Sequence, residues 1–304
     1  MGKSIALVAL MGVCTAALGD GASLPDSTRA AMDRHLNGLG AFEREAWGAF
    51  QDEGAQSSGT AGGGGTDDLA KKLQNPMADL ISVPLQLNYD NGYGANDAER
   101  WTLNVQPVIP FKISEDWNLI SRTIVPIIYQ ERLGPSDDSD LAIGDVLQSL
   151  FFSPKEPIGG WIIGVGPVAL LPTGTDPDLR SEQLAMGPTA VALRQQNGWT
   201  YGMLMNHLWH VAGSDDTPDI NATFIQPFVS YTFPTATSLT FNTESTYDWR
   251  ADQRTVPLNL MVNQVSTIGS QPVSYQFGVR YYAERPGGGP EFGLRFGLTF
   301  LFPG

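Results

Sequence analysis

Three histidines, one cysteine and a few acidic clusters are the raw material for chemistry in this chain. The densest grouping is Asn206-His207-Leu208-Trp209-His210. A serine hydrolase needs a Ser–His pair with an acid or amide to orient the imidazole. No serine follows His207 or His210 at the spacing that membrane-embedded hydrolases use. The two histidines also lie an odd number of residues apart, so a regular strand turns them to opposite faces. The pattern reads as an interfacial histidine beside Trp209. Asp137-Asp138-Ser139-Asp140 and Asp215-Asp216-Thr217-Pro218-Asp219 bunch carboxylates without matching a calcium loop. They read as solvated loop tips that could share divalent cations with anionic lipopolysaccharide. The glycines at 62–65 cannot cradle a phosphate, because no strand precedes them and no GK[ST] follows. The expectation is therefore no enzyme, with no catalytic residues, no metal site and no cofactor.

The bulk composition points to strands. Among 304 residues, 42% are hydrophobic and only 16% charged, against about 25% charged in soluble domains. A net charge of −14 excludes nucleic acid as a natural partner. The 34 glycines and 21 prolines among short apolar runs favour strands and turns.

Residues 1–19 read as a signal peptide, with Lys3, the apolar run Ile5 to Val13, and Ala17-Leu18-Gly19 as the cleavage site. That run is shorter than the ~20 residues of a membrane helix. The one cysteine, Cys14, lies within it; Met11-Gly12-Val13 makes a poor lipobox, so the mature chain is expected to carry no thiol. Residues 20–66 form a polar extension: a possible helix from Ser27 to Phe50, then the linker GAQSSGTAGGGGT. The last zone, 67–304, opens with the short helical stretch DDLAKKLQ, which could plug a lumen or equally lie in the periplasm.

From Asp79 onward strands alternate with turns. They fall near 79–90, 98–112, 116–129, 141–153, 159–172, 182–195, 198–211, 220–233, 237–249, 253–268, 270–284 and 289–302. Very short connections such as Gln196-Asn197-Gly198 and Gly269-Ser270 alternate with longer acidic ones such as Glu131–Asp140 and Glu284–Glu291. Short periplasmic turns and longer outer loops characterise transmembrane barrels. Six of the seven tryptophans form two bands a strand length apart. Trp101, Trp209 and Trp249 fall at loop ends; Trp117, Trp161 and Trp199 fall at turn ends. Indole rings favour bilayer interfaces, whereas a soluble sandwich would gather them in its core.

These features predict an all-β chain, an antiparallel transmembrane β-barrel of about twelve strands in the bacterial outer membrane. Its N-terminal extension would be helical or disordered and periplasmic. Pro107, Pro126, Pro167, Pro188, Pro227 and Pro257 sit in strand middles, where each removes a ladder bond, and count against regular strands.

Alternation also sorts the charges. Arg122, Glu244, Asp248, Arg280, Glu284 and Arg295 are expected to point inward, because a charge facing lipid at mid-membrane costs about 2–4 kcal/mol. They either brace the barrel across its lumen or line a constriction that selects solutes. Ile120, Val168, Leu170 and Phe228 are expected to make that lumen partly apolar. The implied partners are outer-membrane lipid and lipopolysaccharide, the barrel-assembly machinery and a small solute.

Several stretches carry a resemblance: LAKKLQNP (69–76), DWNLISRTIVP (116–126), GDVLQSLFFSP (144–154), GPTAVALRQ (187–195), NTESTYDW (242–249), VPLNLMVNQ (256–264) and GLRFGLTFLFP (293–303). Together they resemble a family of bacterial outer-membrane barrels labelled "transporter" and related to proteins of the phenol meta-cleavage pathway. Some relatives carry the misleading label neuromedin U. The resemblance implies a transport role, suggests aromatic or apolar solutes, and supplies no catalytic residues. The ending, Phe302-Pro303-Gly304, departs from outer-membrane barrels generally, where an aromatic residue comes last. A non-conducting structural or surface-interaction barrel is the alternative.

Overall fold

The computed structural model describes residue 70 and residues 80–94, 97–131, 139–177 and 179–303. The expected signal peptide (1–19), the extension (20–66) and the Asp137-Asp138 loop tip lie outside the described residues, as does DDLAKKLQ except for Ala70.

Every long element described is a strand. β1 (Leu80–Tyr93), β2 (Ala98–Val105), β3 (Val108–Lys112), β4 (Trp117–Glu131), β5 (Ser139–Ile143) and β6 (Val146–Pro154) come first. β7 (Trp161–Leu171), β8 (Gln183–Gln196), β9 (Trp199–Gly213) and β10 (Asn221–Thr232) follow. β11 (Thr237–Thr243), β12 (Ser245–Asp248), β13 (Gln253–Ile268), β14 (Gln271–Glu284) and β15 (Phe292–Pro303) complete the chain. β2/β3, β5/β6 and β11/β12 are each one interrupted stave, so the sheet is an antiparallel barrel of 12 staves. It closes where β1 pairs with β15, from Leu80↔Pro303 to Asn91↔Phe292. Closure leaves no free edge, which is what lets strands cross a membrane. The staves coincide with those expected from the sequence to within a few residues at their ends. β1 runs on to Tyr93, which brings Asp90 into the wall instead of the following loop.

The prolines sit at the interruptions or next to them. Pro107 falls in the β2/β3 break, and Pro126 offers its carbonyl to Gly144 N at 2.9 Å in the β5/β6 break. There the register slips by one residue, between Ile127↔Ile143 and Ile124↔Leu147. Pro227 on β10 and Pro257 on β13 flank the β11/β12 break from both neighbouring staves. Pro167 and Pro188 pair directly across β7 and β8. Each follows a glycine whose space a side chain could not share: a Cβ on Gly166 would lie 1.9 Å from Leu150 O, and one on Gly187 1.8 Å from His207 O. The missing N–H groups thus fall at breaks in the staves, at register slips beside Pro126 and Pro257, and at close backbone approaches.

The chain is inside-out relative to a soluble sandwich. On β14, Tyr275, Phe277, Val279 and Tyr281 are exposed on the outer face while Ser274, Gln276, Arg280 and Tyr282 are buried within. Phe241, Leu260, Val262 and Phe296 continue the exposed apolar surface around the wall. Such a belt is far larger than water-soluble monomers leave uncovered, and it is the outer surface of a barrel in the outer membrane.

Heat should convert this protein from a compact, fast-migrating gel species to a slower one. Identical migration with and without boiling would contradict the closed barrel. Phe277→Arg, placing a charge on the lipid face, should cost about 2–4 kcal/mol in unfolding from lipid bilayers, whereas Phe277→Leu should cost less.

Candidate functional site: the barrel lumen

The six tryptophans occupy the two ends of the wall as their spacing implied. Trp101, Trp209 and Trp249 are exposed at the loop end, and Trp117 and Trp199 at the turn end, where Trp161 is half-buried. Each band recruits other rings. Tyr89 lies 4.7 Å from Trp101 and Tyr247 4.6 Å from Trp249 at one end, while Tyr231 lies 4.9 Å from Trp199 at the other. Amphipathic rings at two depths fix the height of the barrel in a bilayer.

Inside, the wall has two characters. From β4 round to β10 the inward side chains are mostly apolar: Ile120 and Ile124 on β4, Leu147 and Phe151 on β6, Val168 and Leu170 on β7, Leu193 on β8, Leu204 and Leu208 on β9, and Phe224 on β10 all belong to one buried cluster, with Phe228 packed against it. From β11 through β15 to β2 the inward residues are mostly polar or charged. Sequence alternation gave the polarity of each position, and the pairing order gathers the two sets onto opposite halves of the circumference.

Glu244 organises the charged half. It is the residue between β11 and β12, where the proline-flanked break releases it from regular pairing. Arg295 on β15 grips it with a fork, Nη1 to Oε1 at 2.8 Å and Nη2 to Oε2 at 3.0 Å, and sends Nε to Asn88 Oδ1 at 2.8 Å. Both partners are fully buried, with side-chain exposures of 0% and 2%. Two parallel charge-assisted bonds of this length are the strongest arrangement available to a carboxylate and a guanidinium. Arg280 on β14 lies farther off, 3.5 Å from Glu244 and 3.4 Å from Asp90. Tyr282 donates its hydroxyl to the other Asp90 oxygen at 2.8 Å. Toward the turn end, Arg122 donates to Gln106 Oε1 at 2.8 Å, and Gln106 donates to Gln86 at 3.0 Å.

The expected lumen residues therefore divide. Arg122, Glu244, Arg280 and Arg295 line the interior, and three of them meet in one cluster. Asp248 is buried but serves the turn after β12, accepting Arg250 N at 2.7 Å and Ala251 N at 3.2 Å. Glu284 does not point inward. The β13–β14 pairing slips between Val256↔Glu284 and Pro257↔Tyr282, so the extra residue Ala283 reverses the alternation. Glu284 consequently sits exposed at the loop rim, 3.5 Å from Arg254. Asn88, Asp90 and Arg100 are lumen residues that the sequence reading missed. Assigning Asp90 to a loop hid the run Gln86, Asn88, Asp90; their period of two, and that of Arg100 with Thr102 and Asn104, is the signal that finds them.

The histidines part company as their odd spacing predicted. His207 is on the outer face, its ring 4.2 Å from Trp209 and its Nδ1 2.7 Å from Thr223 Oγ1. His210 faces in at the loop rim, 3.9 Å from Asp219, which pairs with Arg250 at 3.0 Å. At the turn end Ala70 is buried with Leu80, Ala236, Val265 and Leu301, so this one described residue of the preceding segment lies in the barrel mouth.

This geometry has a solved counterpart. An outer membrane channel from Pseudomonas putida F1 is similar over 74% of this chain and 96% of its own, with a TM-score of 0.58 and 14% identity. What the two share is the fold, a closed antiparallel β-barrel. Outer membrane phospholipase A from Escherichia coli (TM-score 0.45, 11% identity, 74% of this chain and 93% of its own) and the porin NanC (0.45, 10%, 72% and 98%) are looser likenesses. No protein-family model and no curated protein matches the chain.

Glu244→Gln should destabilise the barrel by about 3–5 kcal/mol in urea unfolding from lipid, because it leaves two buried guanidinium groups without their shared carboxylate. Glu284→Gln, at the rim, should change stability by less than about 1 kcal/mol. Equal effects would contradict the different placements of the two residues.

Proposed function

We propose that this barrel is an outer-membrane channel for small solutes with aromatic or apolar character. The observation that carries the reading is the connected apolar cluster spanning β4 to β10, interspersed with polar residues such as Arg122, Asn206 and Gln226, which faces the lumen and not the lipid. A barrel that passed only hydrated ions or sugars would gain nothing from an apolar interior wall, since each such residue raises the cost of a water-filled path. The resemblance of the sequence to proteins of the phenol meta-cleavage pathway supports the same solute class. The polar half supplies orientation for any polar group the solute carries, as a few placed polar groups do in mostly apolar binding sites.

A second reading, a non-conducting structural barrel, draws on the tight packing of the interior. Inward residues such as Leu170, Leu208, Arg295 and Thr299 have 0% exposure. On the channel reading, solute passage parts these side chains, so conductance is small compared with an open sixteen-stranded porin. Hydrolysis forms no part of the proposal. His207 Nδ1 is paired with Thr223 Oγ1 and its ring lies against Trp209.

Reconstitution in planar bilayers tests the channel. Discrete, small conductance steps are expected, reduced by millimolar phenol or toluene in the bath as the solute occupies the apolar wall. A folded, inserted barrel that stays silent would overturn the channel in favour of the structural reading.

A further inference from the structure

Arg280 is held differently from Arg295, and the difference points to a ligand. Arg295 uses its fork on Glu244 and its Nε on Asn88 at normal distances. Arg280, equally buried at 2% exposure, makes polar contacts of 3.4 and 3.5 Å to Asp90 and Glu244, with its guanidinium 5.4 Å from the Tyr282 ring centre. Charge-assisted N–H···O bonds lie near 2.7–2.9 Å, so both are at the edge of what counts as a bond. Its Nε is buried without a partner. A buried guanidinium with unused donors is costly unless something completes it.

The neighbouring staves supply a matching set. Asn242, Asn259, Arg280, Gly293 and Asp90 are successive register partners across β11, β13, β14, β15 and β1. Asn242 and Asn259 face the lumen at 0% exposure, and Asn259 Nδ2 donates to Asn242 Oδ1 at 2.7 Å. That bond leaves Asn242 Nδ2, a second donor on the row, buried and unpartnered. At Gly293 the Asp90 side chain lies over the backbone, since a Cβ there would fall 2.2 Å from Asp90 Oδ1. Across the ring of staves from β14 stands β7, whose inward Val168 and Leu170 belong to the apolar cluster.

We propose that Arg280 and Asn242 form a binding site for the anionic head of an amphiphilic solute, a carboxylate on an aromatic or aliphatic body. The head takes the free donors of Arg280 and Asn242 while the body lies against the apolar wall. Arg295, already saturated by Glu244 and Asn88, is the brace that holds the row in place. The site names a substrate class within the channel reading above and rests on it for its physiological use.

The test uses the full chain in lipid nanodiscs and isothermal titration calorimetry with 4-phenylbutyrate, and with 4-phenylbutanol as the uncharged analogue. The wild type should bind the carboxylate about tenfold or more tightly than the alcohol. Arg280→Gln should bind the two alike. Asn242→Leu, which keeps every charge, should weaken the carboxylate and leave the alcohol unchanged; it decides the matter if Arg280→Gln fails to give a heat-modifiable barrel. Equal wild-type affinities, a carboxylate preference that persists in Arg280→Gln, or one undiminished in Asn242→Leu, would overturn the site. Conductance measured in parallel separates the two proposals. A conducting barrel with no carboxylate preference loses the site and keeps the channel, and a silent barrel that prefers the carboxylate does the reverse.

Discussion

Every backbone N–H and C=O in the hydrocarbon layer must find its partner within the protein, and closure of the β1–β15 seam satisfies that demand for the wall as a whole. Once the ladder is closed, each strand has one face toward lipid and one toward the lumen. The period-two alternation then decides where every side chain goes. Phe277 and Phe296 meet at 5.4 Å on the outside, while Arg280 and Arg295, three residues and one residue away along the same strands, are fully buried inside. The order is the reverse of a soluble sandwich, built from the same alternating pattern.

Confining the charges to the lumen creates a second demand, because a guanidinium in a narrow, packed interior needs an anion. Glu244 answers it for Arg295 with a two-pronged bond, and the local backbone makes this possible. Pro227 and Pro257 deny the stave between them ladder partners, so regular pairing is interrupted at Glu244, while the unshifted alternation of Asn242, Glu244 and Thr246 turns it inward. Prolines that look like defects in isolated strands therefore mark where the wall is shaped. The remaining charge is unevenly met: Arg280 has long contacts where Arg295 has short ones. The same interior is mostly apolar along β4 to β10, so the lumen offers a solute one greasier side and one polar side.

Most of the fold was legible in the sequence because strand period, loop length and tryptophan position are local properties. The twelve staves, the two aromatic bands and the opposite facing of His207 and His210 all follow from them. What escaped was set by pairing. Glu284 has the parity of an inward residue, and only the slip opposite Val256 turns it out. Asp90 was hidden by a hairpin longer than its composition suggested. The division of the lumen into apolar and polar halves was illegible for a related reason: each strand gives a face, but only the closed order of strands shows which faces adjoin.

The central claim is a closed barrel with lipid outside and a two-sided lumen within, and cysteine scanning reads it directly. The sole cysteine is Cys14, so single cysteines placed through β9 and β14 would be labelled against a silent background once the expected signal is removed. Spin labels at 203, 205, 277 and 279 should show collisions with oxygen dissolved in the bilayer, and labels at 204, 208, 276 and 280 should not. Equal oxygen accessibility at successive positions, or access by a water-soluble relaxant along both faces, would contradict the account.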